Sequence, residues 1–328
     1  MSIGTARPDY LRKQGVETVT AQTEARNREW IDEVLGGRKL AYSTTNFLNY
    51  PLEESLRRIA LGGFRNVEIW GNIRHLDPRN ENEDVNATAA LCQKLGLRVL
   101  SIHAPFTLDH DNDSPRRMDV WEKLVVRSME QAELLGASTL VVHPVTSGTD
   151  NSDDAFRAMV ERTGESLMRL ADIAAGKGQL IAIENMPAHR VRRWGRAVDE
   201  LYEFVNGSGR DNLGICLDTG HVVFNNGDPS RDLEQCLDRV FSVHMNDNIW
   251  GMHMDLHLVP GTGSVDWQRF RALLEAERFG GMIVLELDSR GRPSSIFEEA
   301  RAFAAGYFSD SGDGQSAPRR QPEMNPGE

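Results

Sequence analysis

The chain is predicted to fold as a single (β/α)8 barrel, and three observations carry that prediction. Eight short apolar runs of strand length recur along the sequence. Amphipathic stretches of helical period separate them, and six of the runs end in a histidine or a carboxylate. Parallel strands joined by helical crossovers produce this alternation, and eight such units suggest closure into a barrel. A length of 328 residues is compatible with that reading, because barrels of ~250 residues or more fold as one unit.

The predicted strands run from about Lys39 to Thr44, Asn66 to Trp70, Arg98 to His103, Thr139 to His143, Gln179 to Glu184, Leu213 to Asp218, Val240 to His244 and Met282 to Glu286. Between them, Pro51 to Leu61, Arg117 to Leu135, Asp153 to Ala175 and Asp266 to Glu277 place apolar residues at three- and four-residue steps, the helical period. Gly62-Gly63, Gly96, Gly136, Gly176 and Gly280-Gly281 follow helical runs, where glycine readily takes the left-handed cap. Ser295 and Glu298, just after Pro293, have capping-box spacing and mark the start of the last helix. Residues 1–38 precede the barrel, and Asp9 to Leu35 reads as a polar helical extension packing on the barrel, on a second copy or on a partner subunit. Residues 39–308 are read as the barrel itself. Residues 309–328 are rich in Ser, Gly, Asp, Pro and Arg and read as a disordered tail.

Composition removes several function classes. No run approaches the ~20 apolar residues of a membrane span and no signal-peptide pattern opens the chain, so a soluble, cytoplasmic protein is expected. The three cysteines, Cys92, Cys216 and Cys236, are too few and too dispersed for a disulfide framework. A formal charge of −12 disfavours a nucleic-acid partner. Five lysines are present and none ends a predicted strand, which argues against a Schiff-base aldolase. No glycine fingerprint for a nucleotide cofactor is present.

The informative feature is where the polar residues fall. From the third strand onward the runs end as Ser-Ile-His103, Val-Val-His143, Ile-Ala-Ile-Glu184, Cys-Leu-Asp218, Ser-Val-His244 and Leu-Glu286. The C-terminal strand ends of such a barrel meet at one mouth. A lone histidine at a strand end is more often a packing residue, and a lone acid there is often a cap or half of an ion pair. Three carboxylates closing strongly apolar runs on one mouth would repel each other without a cation, so Glu184, Asp218, His244 and Glu286 read together as a divalent-metal site. His221, in Asp218-Thr-Gly-His221, and Asp255-Leu-His257 extend the set.

Taken in order, His103-Ala-Pro-Phe, Val-Val-His143-Pro, Ile-Glu184-Asn, Leu-Asp218-Thr-Gly-His221, Val-His244-Met-Asn-Asp and Asp255-Leu-His257-Leu-Val-Pro-Gly-Thr-Gly resemble the xylose isomerase-like barrel superfamily. That superfamily contains sugar isomerases and epimerases and the endonuclease IV class of repair enzymes. Similarity to the isomerases and epimerases implies one Mn, Co, Mg or Zn ion on Glu184, Asp218, His244 and Glu286. It also implies a carbohydrate substrate, with Glu184 and Glu286 as the catalytic acid and base of an enediolate proton transfer.

The same resemblance leaves two other chemistries open. A lyase or dehydratase, including C-glycoside cleavage, would use the same ion and acid/base pair. An endonuclease IV-like phosphodiesterase acting on abasic DNA would bind up to three Zn ions through His103, His143, Glu184, Asp218, His221, His244, Asp255, His257 and Glu286. Glu68, Asn185 and Trp70 are weaker candidates for substrate contact, and Phe106, Trp250 and Met252 for an apolar wall. The run Arg190 to Arg196 could meet a substrate phosphate, a carboxylate or only solvent. A barrel converted into a binding or regulatory subunit is the third class, and the intact ligand set argues against it.

Overall fold

A computed structural model of the protein describes residues 39–106, 115–145, 152–188, 193–288 and 293–308. The expected N-terminal extension and C-terminal tail lie outside the described residues. Eight strands close into a barrel in chain order: β1 (Lys39–Ser43), β2 (Asn66–Trp70), β3 (Arg98–His103), β4 (Thr139–Val142), β5 (Leu180–Glu184), β6 (Leu213–Asp218), β7 (Val240–Met245) and β8 (Met282–Leu285). Every neighbouring pair is parallel, including the closing pair of β1 with β8. The crossovers carry α1 (Leu52–Leu61), α2 (Val85–Leu95), α3 (Pro115–Leu135), α4 (Asp153–Gly176), α5 (Val198–Gly207), α6 (Thr219–Phe224), α7 (Pro229–Cys236) and α8 (Trp267–Ala276), and α9 (Pro293–Phe308) follows β8.

Strand period explains the layering. Successive side chains of a strand point to opposite faces, so Ile181 and Ile183, Ile215 and Leu217, and Ile283 and Leu285 join the large core between sheet and helices. Their neighbours face inward: Val141, Ala182 and Cys216 form one small interior cluster, and Ala41, Met282 and Val284 another. Continuing the same alternation by two residues from Val141, Ala182, Cys216, Ser242 and Val284 reaches His143, Glu184, Asp218, His244 and Glu286. The apolar runs therefore support the polar ends directly.

Helix boundaries follow from caps. Asp84, Ser152, Asp228 and Asp266 accept backbone N–H groups at the starts of α2, α4, α7 and α8. Left-handed backbone at Gly63, Gly96 and Gly136 matches the expected caps. At two ends the sequence reading is corrected: Gly178 rather than Gly176 turns the chain, and Arg278 takes the turn before Gly280-Gly281. Gly281 is needed for space instead, since a Cβ there would sit 2.7 Å from the Phe241 carbonyl oxygen. The last helix begins at Pro293, ahead of Ser295. Among the described residues no helix is long and apolar enough to cross a membrane.

Below the mouth, His75 links the turn after β1 to the β2–α2 connection. Its Nδ1 lies 3.0 Å from Thr44 Oγ1 and its Nε2 lies 3.2 Å from the Tyr50 carbonyl oxygen. Thr44 Oγ1 already accepts the Trp70 N–H, which leaves its own proton for the imidazole. Burial lowers the His75 pKa to about 4, although the backbone contact to Tyr50 opposes the shift. Below about pH 6.5 the unfolded chain binds a proton here that the folded protein refuses until about pH 4, so stability falls as the pH drops through that window. Urea unfolding should show a smaller loss of stability between pH 7 and pH 5 in His75→Gln than in the parent, and equal losses would remove this assignment.

Candidate metal centre and substrate cleft

The ends of β3 to β8 bring their polar residues together around the Glu184 carboxylate. Glu184 Oε2 is 3.1 Å from His103 Nε2 and 2.9 Å from His143 Nε2. Glu184 Oε1 is 3.4 Å from His221 Nδ1 and 3.4 Å from His244 Nδ1. His244 Nδ1 also lies 2.8 Å from Glu286 Oε2 and 3.9 Å from Asp218 Oδ2. It is nonetheless aligned for a hydrogen bond to none of these acids. One potential ligand atom from each of Glu184, Asp218, His244 and Glu286 falls within 4.8 Å of the others.

Two more donor groups meet the same criterion: His103, His143 and Glu184, and Asp218, His221 and His257. Each shares one carboxylate with the first group. Asp255 joins the second of them, 3.2 Å from His221 Nε2 and 3.2 Å from His257 Nε2. The mixture of carboxylate oxygen and imidazole nitrogen, with a buried nitrogen lacking any hydrogen bond, fits a divalent cation of borderline hardness. A third small group, Glu184, Cys216 and His244, lies below the mouth, where Cys216 belongs to an apolar interior cluster.

Electrostatics around the cluster are dominated by burial and by pairing against it. Burial alone would raise Glu184, yet the charges of His143 and His244 and hydrogen bonds from His103 and His143 hold it well below the usual carboxylate range. Glu286 is likewise brought down to about 2 against its burial, chiefly by His244. Asp218 goes the other way, pushed up by burial. Burial opposes protonation of His221 and His244, but the surrounding acids outweigh it: Asp218 and Asp255 raise His221 to about 10, and His244 stands well above its ordinary value. His143 is lowered by burial. The cluster as a whole demands positive charge.

A layer of neighbours fixes these groups. His244 Nε2 lies 3.3 Å from both oxygens of Glu68, which accepts the Ser101 hydroxyl at 2.8 Å. Carboxylate support of this kind orients an imidazole and settles which nitrogen is free. Register shifts at Val67/Glu68 and Ile215/Cys216 coincide with Glu68 and with the approach to Asp218, as bulges beside sites commonly do. Asn185 brackets Asp218, donating to its carbonyl at 3.0 Å and accepting its N–H at 2.7 Å. Asp218 also caps α6 through the His221 N–H and takes a hydrogen bond from Asn246. Gly220 has no room for a side chain here, because a Cβ would lie 1.9 Å from Asn246 Oδ1.

The β7–α8 connection is held by a residue the sequence reading passed over. Asp247 is buried, and its carboxylate accepts N–H groups from Gly261, Gly263, Val265 and the Trp267 indole at 2.9 to 3.1 Å. Gly263 must be glycine, since a Cβ would meet Asp247 Oδ1 at 2.3 Å. A backbone bridge from Asp247 to Leu258 then sets His257, whose φ of 42° is left-handed. The loop segment from Pro260 to Trp267, Pro-Gly-Thr-Gly-Ser-Val-Asp-Trp, is thus a folded clasp. The quoted His244-Met-Asn-Asp phrase held the signal, because a lone acid beside a strand end calls for several donors.

The cluster opens into a small cleft of about 240 Å³. His103, His143, Glu184, His221, Asp255, His257 and Glu286 line it, as do Trp70 and Phe106 from the candidate apolar set. Trp250 and Met252 are exposed and do not line it, and Glu68 and Asn185 are buried behind the cluster. Thr45, Leu48, Leu287 and Asp288 also contribute and carried no sequence signal. A cleft bounded by Lys39, Phe279 and Tyr307 holds none of the donor side chains.

A family model described as xylose isomerase-like TIM barrel matches residues 56–306. The chain belongs to this family. Among curated relatives, a probable endonuclease 4 of Thermoplasma acidophilum is 26% identical over 299 residues, covering 85% of this chain and 96% of its own. A 3-dehydroshikimate dehydratase of Pseudomonas aeruginosa is 28% identical over 258 residues, covering 74% of this chain but 37% of its own. A D-tagatose 3-epimerase-like protein superposes with a TM-score of 0.68 at 24% identity, over 83% of this chain and 100% of its own. The IOLI protein, solved with a zinc atom, gives 0.69 at 20% identity over 83% and 99%. These two structures corroborate the barrel.

Replacing Asp247 by Asn turns one acceptor oxygen into a donor facing N–H groups. Asp247→Asn should cost about 3 kcal/mol by urea unfolding and should speed proteolytic cleavage between residues 248 and 265. A variant as stable as the parent would show that the clasp is held by something else.

Proposed function

We propose that the protein is a divalent-metal-dependent isomerase or epimerase that moves a proton on a sugar, keto-sugar or related polyol through an enediolate. The carrying observation is that Glu184 and Glu286, both favoured in the proton-accepting form, belong to one four-residue donor group on the wall of a small cleft. Glu184, Asp218, His244 and Glu286 would hold the ion, and the chemistry supplied there is Lewis acidity toward adjacent substrate oxygens. Of the two glutamates, one takes the proton from carbon, and water, or the other glutamate once it has picked up a proton from solvent, returns one to the carbon. His103 and His143 occupy Glu184 Oε2, which leaves Oε1 on the side of His244 and Glu286. Trp70 and Phe106, with ring centroids 5.3 Å apart, offer an apolar face to the C–H side of a sugar. The relative named for dehydratase activity supports a lyase variant, in which the same enediolate expels a β-leaving group.

One observation favours a second reading, an endonuclease IV-like zinc phosphodiesterase. The three donor groups adjoin through Glu184 and Asp218, as a three-ion cluster requires, and a relative carries the name probable endonuclease 4. The charge of −12 and the small cleft weigh toward a small-molecule substrate.

Elemental analysis separates the readings: about one ion per chain supports isomerase or lyase chemistry, and about three zinc ions with cleavage of abasic DNA supports the hydrolase. Chelation should abolish activity and one divalent ion should restore it best, whereas full activity in metal-free protein would sink both. Glu184→Gln should lower solvent deuterium uptake into keto-sugars at least about a thousandfold, on the scale of a lost acid/base group and ligand together. Far-UV circular dichroism should be unchanged, since Glu184 lies outside the apolar core.

A further inference from the structure

Glu68 is a buried carboxylate that the proposed chemistry does not use. It is 0% exposed, and among the described residues no lysine or arginine pairs with it. A carboxylate taken out of water without a cationic side chain is costly. Its hydrogen-bonding neighbours are Ser101, whose hydroxyl donates to Oε2 at 2.8 Å, and His244, whose Nε2 lies 3.3 Å from the same oxygen.

Two strand irregularities bring these residues together. Val99 and Ile102 both face the helices although they stand three positions apart, so β3 carries one extra residue, and Ser101 comes level with Glu68 on β2. Val240 and Val243 repeat the pattern on β7, where His244 comes level with Asp218. Without the extra residues, strict alternation would turn Ser101 and His244 toward the helices.

The ring of His244 is also reversed relative to its neighbours. His103, His221 and His257 each place Nε2 against an acid of the cluster. Each rests Nδ1 on a main-chain carbonyl, those of Ala104, Asn185 and Glu286, at 2.8 to 3.1 Å. His244 instead presents Nδ1 to Glu184, Asp218 and Glu286 and backs Nε2 onto Glu68. A carboxylate behind a ligand imidazole fixes the ring, keeps the proton on the rear nitrogen and strengthens the front one as a donor.

We propose that Glu68 is the positioning residue of the metal centre: it holds the Nε2 proton of His244, so that Nδ1 is the nitrogen offered to the ion, and Ser101 holds Glu68 in turn. Glu68 therefore sets the affinity for the ion from behind and never meets the substrate. The inference rests on the reading of Glu184, Asp218, His244 and Glu286 as one donor group.

Competition between the metal-free full chain and a chromophoric chelator for zinc ions tests it without any substrate. Glu68→Gln should weaken binding of the first ion roughly ten- to a hundredfold, the range for a lost partner of a ligand. In a His244→Gln background the same change should cost less than about twofold, because a residue that acts through His244 has nothing left to act on. Equal losses in the two backgrounds would overturn the proposal. Ser101→Ala, which leaves Glu68 in place but unheld, should give a smaller loss in the same direction, and it carries the comparison should the glutamine variant not fold. Zinc binding that neither variant alters rejects this proposal alone, whereas a parent that binds no zinc overturns the donor-group reading with it. Failure of deuterium exchange on every sugar, with the Glu68 effect intact, would reject only the isomerase reading.

Discussion

The Glu184 carboxylate is shared among four imidazoles, those of His103, His143, His221 and His244, and is almost wholly buried. Removing a carboxylate from water is expensive, so the groups around it must return the lost solvation. Here they do so as a connected network rather than as one pair. Asp218 and Glu286 are drawn into the same network, and each added acid makes further positive charge more favourable. A site of this kind is poised for a cation and costly to leave half-assembled.

Precision comes from the strands and from what stands behind them. The six converging ends are fixed by barrel closure, a rigid constraint that loops could not match. Glu68 holds His244 from below, Asn185 brackets Asp218, and Thr219 bonds back to the His244 and Asn246 carbonyls. Asp247 performs the corresponding task for the one connection that must carry ligand-type residues, Asp255 and His257. Its carboxylate gathers donors from the Gly-Thr-Gly turn, so the loop behaves as an extension of the sheet.

The same donor set can serve proton transfer or phosphoester chemistry because both need Lewis acidity beside ionised carboxylates. An indole and a phenyl ring, those of Trp70 and Phe106, line the small cleft beside the charged cluster.

Strand positions and the convergence of Glu184, Asp218, His244 and Glu286 were legible in the sequence because both follow from local pattern. Apolar runs with period-two alternation mark β1 to β8, and a carboxylate or imidazole two residues beyond a small inward residue marks the mouth. Glu68, a weaker candidate for substrate contact in the sequence, is instead buried against His244 across the barrel. Asn246, Asp247 and Gly220 were not singled out because their partners are 14 to 28 residues away, across the β6–β7 ends or along the folded β7–α8 connection. The sequence by itself determined the barrel and which residues end its strands, since these obey local periodicity. Only the tertiary structure decided which nitrogen faces which oxygen, and that Glu68 stands behind His244, because burial and pairing are properties of distances between chain segments.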